Sequence, residues 1–315
     1  MKVLVSGGAG FIGSHLAAAL LSNGDSVSVL DNFSTGKKEN LADFRDKIEL
    51  WEGDVRDREV VGRAVSGIDA VLHQAALPSV PRSFADPVHT SRVNMGGTIK
   101  LLEAARREGV RKFIFASSSS VYGDSENAEK IESLSPNPLS PYAASKLSGE
   151  YCCRIYRDAF GMRTVSLRYF NIFGPRQDPQ SEYAAVIPKF ITAVLGEESP
   201  VIYGDGFQTR DFTYIDNVVE ANLKALAAAD AAGGGVFNIA CGSSASILEL
   251  VEELGRISGT VITPRFEAPR PGDVKHSRAG IARAKKFLNY EPLVSFPEGL
   301  KNTYEYFKKQ PAAAF

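Results

Sequence analysis

Lys2-Val-Leu-Val-Ser6, Gly7-Gly-Ala-Gly10-Phe-Ile-Gly13 and then His15 to Ser22 read as an apolar strand, a glycine loop and a helix, in that order. Glycines there permit a tight turn and let the backbone approach a pyrophosphate, which rests on the helix N-terminus with its free N–H groups and dipole. A glycine triplet alone often marks only a turn, whereas strand, glycines and helix together are much harder to obtain by accident. Gly7, Gly10, Phe11, Ile12 and Gly13 are therefore candidate contacts to a dinucleotide. A second strand, Ser26-Val-Ser-Val-Leu30, ends in Asp31, about twenty residues past the loop. A carboxylate there accepts hydrogen bonds from an adenosine ribose and repels a 2′-phosphate, which favours NAD over NADP. Two like charges 4 Å apart cost about 4 kcal/mol near a surface, so the preference is substantial. Lys37 and Lys38 read as part of a solvated loop.

Outward from this start, strands alternate with helices. Glu49 to Glu52, Ala70 to Gln74, Phe113 to Ser117, Thr164 to Arg168 and Val236 to Ile239 read as short buried strands separated by helix-length stretches. That alternation predicts an α/β fold with a doubly wound parallel sheet, covered on both faces and joined by right-handed crossovers. Ligands then gather at the carboxyl ends of the strands. After Phe170 the pattern loosens and prolines punctuate it, among them Pro175, Pro179, Pro188, Pro200, Pro264, Pro269 and Pro271. This predicts a smaller α/β substrate lobe built from discontinuous C-terminal segments. The expected division places 1–170 in the cofactor unit, which also receives 211–243, and 171–210 with 244–315 in the substrate lobe. Gly233-Gly-Gly235 reads as a helix end before the last sheet strand.

A chain of 315 residues can bury about three-quarters of its unfolded surface. Thirty-six basic against thirty-seven acidic residues give no overall field to attract nucleic acid or an anionic membrane. No apolar run has the length of a spanning helix, and Met1 leads straight into a core strand, so neither a membrane anchor nor a signal peptide is expected. Cys152 and Cys153 are adjacent and Cys241 stands alone. That arrangement fits neither a metal site nor a redox pair and suggests reduced thiols in a cytoplasm. The four histidines are scattered and read as structural, and no repeat is visible.

Tyr142-Ala-Ala-Ser-Lys146 follows a run of four serines, Ser117 to Ser120, that ends the strand Lys112-Phe-Ile-Phe-Ala-Ser-Ser118. Residues four apart on a helix lie on one face, one turn above the other. A phenol normally titrates near 10, and a neighbouring ammonium favours the phenolate, bringing it toward the range of a general base. A serine hydroxyl at the strand end would hold the substrate oxygen whose proton moves. Ser140 as N-cap and Pro141 at the first helical position start the helix. A second match, Tyr304 to Lys308, sits in a lysine-rich tail with no serine cluster ahead of it and reads as an amphipathic terminal helix.

These residues together resemble the extended short-chain dehydrogenase/reductase family and, within it, the UDP-N-acetylglucosamine/UDP-glucose 4-epimerase branch. The resemblance covers nearly the whole chain. It includes the glycine loop, Asp31-Asn-Phe-Ser-Thr-Gly36, Gly53-Asp54-Val55, His73-Gln-Ala75-Ala76, Asn94, Ser118, Tyr142, Lys146, Arg168-Tyr-Phe-Asn171-Ile-Phe-Gly174, Arg210-Asp211 and Arg270-Pro-Gly-Asp273. It implies a Rossmann-like sheet, NAD as tightly held cofactor, and Ser118, Tyr142 and Lys146 as catalytic residues. Asn32, Ser34, Thr35, Gly36, Asp54, Val55, Ala75, Ala76, Asn94 and Tyr169 are implied as further cofactor contacts. Ser79, Ser118, Ser119, Ser120, Asn171, Val186, Val201, Tyr203, Arg210, Arg270, Asp273 and Ser277 are implied on the substrate side. Arg210 and Arg270 match positions that grip a nucleotide diphosphate, work that suits a planar guanidinium. Val201 and Tyr203 match positions that line the uracil pocket.

Dehydratases and decarboxylases of the same family carry an acidic residue near the serine cluster, and Ser118-Ser-Ser-Val121 has none. That favours epimerisation. As the resemblance implies, Tyr142 takes the proton from the sugar 4-hydroxyl that Ser118 holds, the C4 hydride leaves to the nicotinamide, and the 4-keto sugar turns and regains the hydride on its other face. Lys146 keeps the tyrosine acidic. Ser277 matches a position that is a bulky tyrosine in enzymes restricted to UDP-glucose and UDP-galactose. A small residue there leaves room for an N-acetyl group, and Leu77-Pro-Ser79-Val-Pro-Arg82 resembles the loop of that subgroup. A UDP-glucose-only or UDP-glucuronate epimerase, or a catalytically silent NAD sensor, are the other readings. Gly96 to Glu108 and Tyr142 to Ala159 match helices that pair in family homodimers.

Overall fold

Successive side chains of a strand point to opposite faces, and here both faces are apolar. Val3, Val5, Val27, Val29, Leu72 and Ile114 join one core, while Leu4, Leu30, Val71, Phe113 and Phe115 join a second on the reverse side. Burying each such side chain contributes about 1.5–3 kcal/mol. Strands apolar on both faces belong in a parallel sheet covered by helices, and the computed structural model, which describes residues 1–125, 127–180, 185–228, 235–269 and 275–310, has that architecture.

Among the described residues the main sheet contains β1 (Lys2–Ser6), β2 (Ser26–Asp31), β3 (Ile48–Glu52), β4 (Ala70–His73), β5 (Lys112–Ser118), β6 (Arg163–Tyr169) and β7 (Val236–Ile239). All pair in parallel, in the order β7-β6-β5-β4-β1-β2-β3. The chain winds outward from β1 to β3 and then crosses to β4, so the switch in winding lies between β1 and β4, where such sheets bind ligands. Helices α1 (Phe11–Ser22) and α5 (Ile215–Ala227) cover the first face, and α2 (Thr98–Arg107) and α3 (Pro141–Phe160) the second.

Local sequence sets the helix ends. Ser140 accepts a hydrogen bond from the Ala143 N–H, Pro141 occupies the first turn, and Gly161 closes α3 at φ 68°. α1 starts at Phe11, not at His15, because the helix begins inside the glycine loop with Gly10 as its cap. The stretch expected to be helical from Gly96 opens instead with a π-helical turn, Arg92–Gly97, before α2. Among the described residues, no helix is long and apolar enough to cross a membrane.

The second lobe is sewn from separated segments. α4 (Val186–Leu195), α6 (Ile247–Ser258) and α7 (Phe296–Lys308) extend the core of the first face. Val201–Tyr203 pairs with Arg265–Glu267, and Ile172–Phe173 with Thr213–Tyr214. A four-stranded sheet runs Ala245–Ser246, Thr209–Arg210, His276–Ala279 and Glu129–Lys130. Its outermost strand comes from the segment between β5 and α3, which sequence reading had not assigned to this lobe.

Candidate active site

The glycine loop ends β1. Gly7 has φ 71°, and a Cβ on it would stand 2.6 Å from the Ala75 nitrogen, so only glycine lets the ends of β1 and β4 meet. Gly13 packs directly on the Gly7 carbonyl. No side chain caps Gly10 and no acidic residue lies in the first turn of α1, which leaves the helix N-terminus open to an anion. Asp31 is buried, accepts N–H bonds from Ala9 at 2.9 Å and Phe33 at 2.8 Å, and is pushed up by burial. A Cβ at Gly36 would lie 2.9 Å from both Asp31 oxygens. An open helix terminus and a carboxylate kept clear by glycine fit a dinucleotide such as NAD.

Neighbouring loops take definite positions. Ser34 and Thr35 are exposed beyond Asp31, and the Ser34 N–H donates to Asn32. Asn32 donates to Asp54 at 2.8 Å, and Arg56 grips Asp54 at two points, holding its carboxyl down at about 2. Val55 is buried against Gly97. Asn94 is also buried: its amide accepts from Leu77 N–H at 2.8 Å and donates to Ser145 Oγ at 3.0 Å, so its side chain ties the β4 loop to α3. The Tyr169 hydroxyl is held by Gln74 and Asn222, and burial pushes it up to about 12.

At the end of β5, Ser118 lies beside the Tyr142 phenol and accepts from the Ser120 N–H at 3.2 Å and hydroxyl at 2.9 Å. Ser119 opens that turn. One helical turn past Tyr142, the buried Lys146 ammonium donates to the Ala116 carbonyl at 2.8 Å and lies 5.9 Å from the Tyr142 ring centre. Burial pushes Lys146 down to about 8. Behind it His73 bridges Ser6 and Thr98 at 2.6 and 2.8 Å, and burial first, then the Lys146 charge, push it down to about 3.

One expectation is corrected here. The phenol of Tyr142 is pushed up, not down: burial dominates and the neighbouring Ser118 hydroxyl opposes it. The physical reason is placement, since the ammonium sits over the ring with its bond spent on Ala116 instead of meeting the phenol oxygen. The stretch Ser118-Ser-Ser-Val121 itself has no carboxylate, and the structure adds one from elsewhere in the chain that touches the preceding serine. Glu150, two turns beyond Tyr142, accepts from Ser117 Oγ beside the serine cluster, but Arg168 holds both its oxygens. The spacing Tyr142, Lys146, Glu150 on one helix face could have revealed it.

A cavity of about 490 Å3 lies in the second lobe. It brings together Asn171, Val186, Val201, Tyr203 and Arg210 from the expected substrate set. Asn171 has φ 37° and donates to the Asp211 carbonyl at 3.2 Å. Lys189 and Arg265 line the same space, and nothing in the sequence had marked them. Apolar walls with convergent cations suit a flat base carrying phosphates. Ser277 pairs with Arg210 in the neighbouring strand. Ser79 caps the short helix Val80–Ala85, a turn of structure where a loop was expected. Ala76 is half-buried past β4. Arg270 and Asp273 lie outside the described residues.

Comparisons with known proteins agree with this geometry. The UDP-glucose 4-epimerase of Mycolicibacterium smegmatis is 40% identical over 98% of this chain and 99% of its own. The structure of the UDP-N-acetylglucosamine 4-epimerase from Methanobrevibacter ruminantium, in complex with UDP-N-acetylmuramic acid, matches with a TM-score of 0.94 at 41% identity, covering 98% of this chain and 99% of that one. That of the UDP-glucose 4-epimerase from Thermotoga maritima, with UDP-glucose, matches with a TM-score of 0.93 at 39% identity, covering 98% and 99%. A model described as the NAD dependent epimerase/dehydratase family matches residues 3–240. With the likeness running the full length of these relatives, the chain belongs to the NAD dependent epimerase/dehydratase family.

Proposed function

We propose that this protein is a UDP-sugar 4-epimerase that works with NAD and interconverts UDP-N-acetylglucosamine with UDP-N-acetylgalactosamine, and UDP-glucose with UDP-galactose. The observation that carries the proposal is the placement of Ser118 beside the Tyr142 phenol, with buried Lys146 one turn on and fixed by the Ala116 carbonyl, at the carboxyl end of a sheet whose first loop fits a dinucleotide. Gly7, Gly10, Gly13 and Asp31 hold the cofactor, which supplies a reversible hydride acceptor at the sugar carbon. Ser118 holds the 4-hydroxyl, and Tyr142 takes its proton and later returns it. Lys146 is the nearby cation, fixed by the Ala116 carbonyl. Arg210, Tyr203 and Val201 hold the nucleotide while the sugar turns.

Size supports the acetylated pair: Ser277, in register with Arg210, is a small residue at a position that matches a bulky tyrosine in enzymes restricted to UDP-glucose and UDP-galactose. The relatives named above include one that acts on UDP-N-acetylglucosamine and one solved with UDP-glucose. The test is incubation of the protein, without added NAD, with UDP-N-acetylglucosamine, UDP-glucose and UDP-glucuronate in turn. Appearance of the 4-epimer of the first two supports the reading; product from UDP-glucuronate alone redirects it, and none at all refutes it.

The same proposal includes a cytoplasmic homodimer and the division into a cofactor unit, 1–170 with 211–243, and a substrate unit, 171–210 with 244–315. Ile99 on α2 and Tyr151, Ile155 and Phe160 on α3 are exposed apolar residues on neighbouring helices, as a bundle between two copies requires. The mass in solution, by light scattering, tests it.

A further inference from the structure

We propose that Asp211 is a positioning residue for the sugar nucleotide, holding Arg210, Asn171 and the Ser277 strand in a single arrangement. This rests on the function proposed above. Asp211 is fully buried, directly after Arg210 in the chain. One carboxylate oxygen accepts the Cys241 N–H at 2.9 Å. The other accepts Gly242 N–H at 3.0 Å and Ala279 N–H at 3.2 Å. Its own N–H donates to the Ser277 carbonyl at 2.7 Å, and its carbonyl accepts the Asn171 amide at 3.2 Å.

Five bonds from one residue therefore reach the segment after β6, the turn after β7 and the strand His276–Ala279. Each candidate substrate contact among these is attached through Asp211: Arg210 as its neighbour, Asn171 through its amide, Ser277 through its carbonyl. Burial pushes the Asp211 carboxyl up to about 7, yet all three of its side-chain partners are N–H donors, and the acceptor-only ionised carboxylate is the form that receives three of them on two oxygens. Bonds to a charged acceptor are also shorter and stronger than neutral ones. An asparagine presents an NH2 group to at least one of those donors, so one segment must move away. The three segments then lose their common reference, and the cavity lined by Asn171 and Arg210 changes shape.

The experiment compares wild type with Asp211→Asn. UDP affinity is measured by calorimetry, KM and kcat by epimerisation, and bound NAD by absorbance of the released cofactor. Positioning predicts Kd for UDP and KM raised about tenfold or more, with kcat within about threefold and NAD content unchanged. Equal loss of NAD, kcat and fold signature, or unchanged UDP affinity, overturns it. Hydrogen exchange on the wild type covers the case in which the variant does not fold. UDP should then slow exchange at Cys241, Gly242 and Ala279 together; protection confined to Val201–Tyr203 overturns the proposal. Wild type that binds UDP yet epimerises nothing sinks the proposed function while leaving Asp211 to be judged on UDP affinity. Wild type with no affinity for UDP overturns both.

Discussion

Glu150 and Arg168 form a two-point ion pair, at 2.8 and 2.7 Å, with side chains only 3% and 4% exposed. Glu150 stands on α3 one turn past Lys146, and Arg168 on β6, its guanidinium 4.6 Å from the Tyr122 ring centre. Ser117, the residue before Ser118, donates to the same carboxylate. The pair thus locks the helix carrying Tyr142 against the strand end carrying Ser118. Removing one partner strands the other as a buried charge, so Glu150→Gln should lower stability by about 3–5 kcal/mol. Glu150→Leu combined with Arg168→Met should lose less, because no lone ion is left behind. Denaturant unfolding of both variants checks this; equal losses would contradict it.

Tyr142→Phe should reduce turnover at least about a hundredfold, the usual scale of a positioned acid–base group. Ring packing is kept, so the cofactor stays bound. Activity near that of wild type would remove Tyr142 from the reaction.

Lys146 ties stability to pH. Its folded value lies near 8, below the ordinary 10.5, because burial disfavours the charge. The unfolded chain therefore binds that proton more tightly, and stability rises as pH climbs between these two values. Lys146→Met should stabilise the cofactor-free protein at neutral pH, on the order of 3 kcal/mol, and the difference should vanish once the unfolded lysine is neutral. Chemical unfolding across that range decides it. Tyr142 runs the other way: its raised phenol stays protonated in the folded state, so its contribution is lost only above the ordinary phenol value of 10. Oxidised NAD brings a positive ring, and ultraviolet titration should show the Tyr142 signal moving down when it binds.

Ser277→Tyr should impair the acetylated pair at least about tenfold more than UDP-glucose. Substrate competition in one reaction vessel reads the ratio directly. Equal loss on both pairs would assign Ser277 to the sheet alone.

The seven main strands were legible because their β-branched and aromatic runs answer to a simple rule of burial on both faces. Motif spacing was less informative than it looked. Lys308 also lies 5.9 Å from the Tyr304 ring centre, the distance found between Lys146 and Tyr142. Helical periodicity sets that distance at both places; what differs is the serine at a strand end beside Tyr142. The direction of the Tyr142 shift was not legible, since it depends on the Ala116 carbonyl claiming the ammonium. Nor were Lys189 and Arg265, which come from distant segments and meet only across the cavity.

Glu129–Lys130 has a consequence for how this protein operates. Those two residues lie on the stretch that leads from Ser118 to Tyr142, yet they are the outer strand of the sheet containing Ser277 and Arg210. The sheet therefore ties Arg210 and Ser277 to the segment that leads into α3 and Tyr142. Only two strand pairings separate Arg210 from the leader of α3, so two stretches distant in the chain share one small frame.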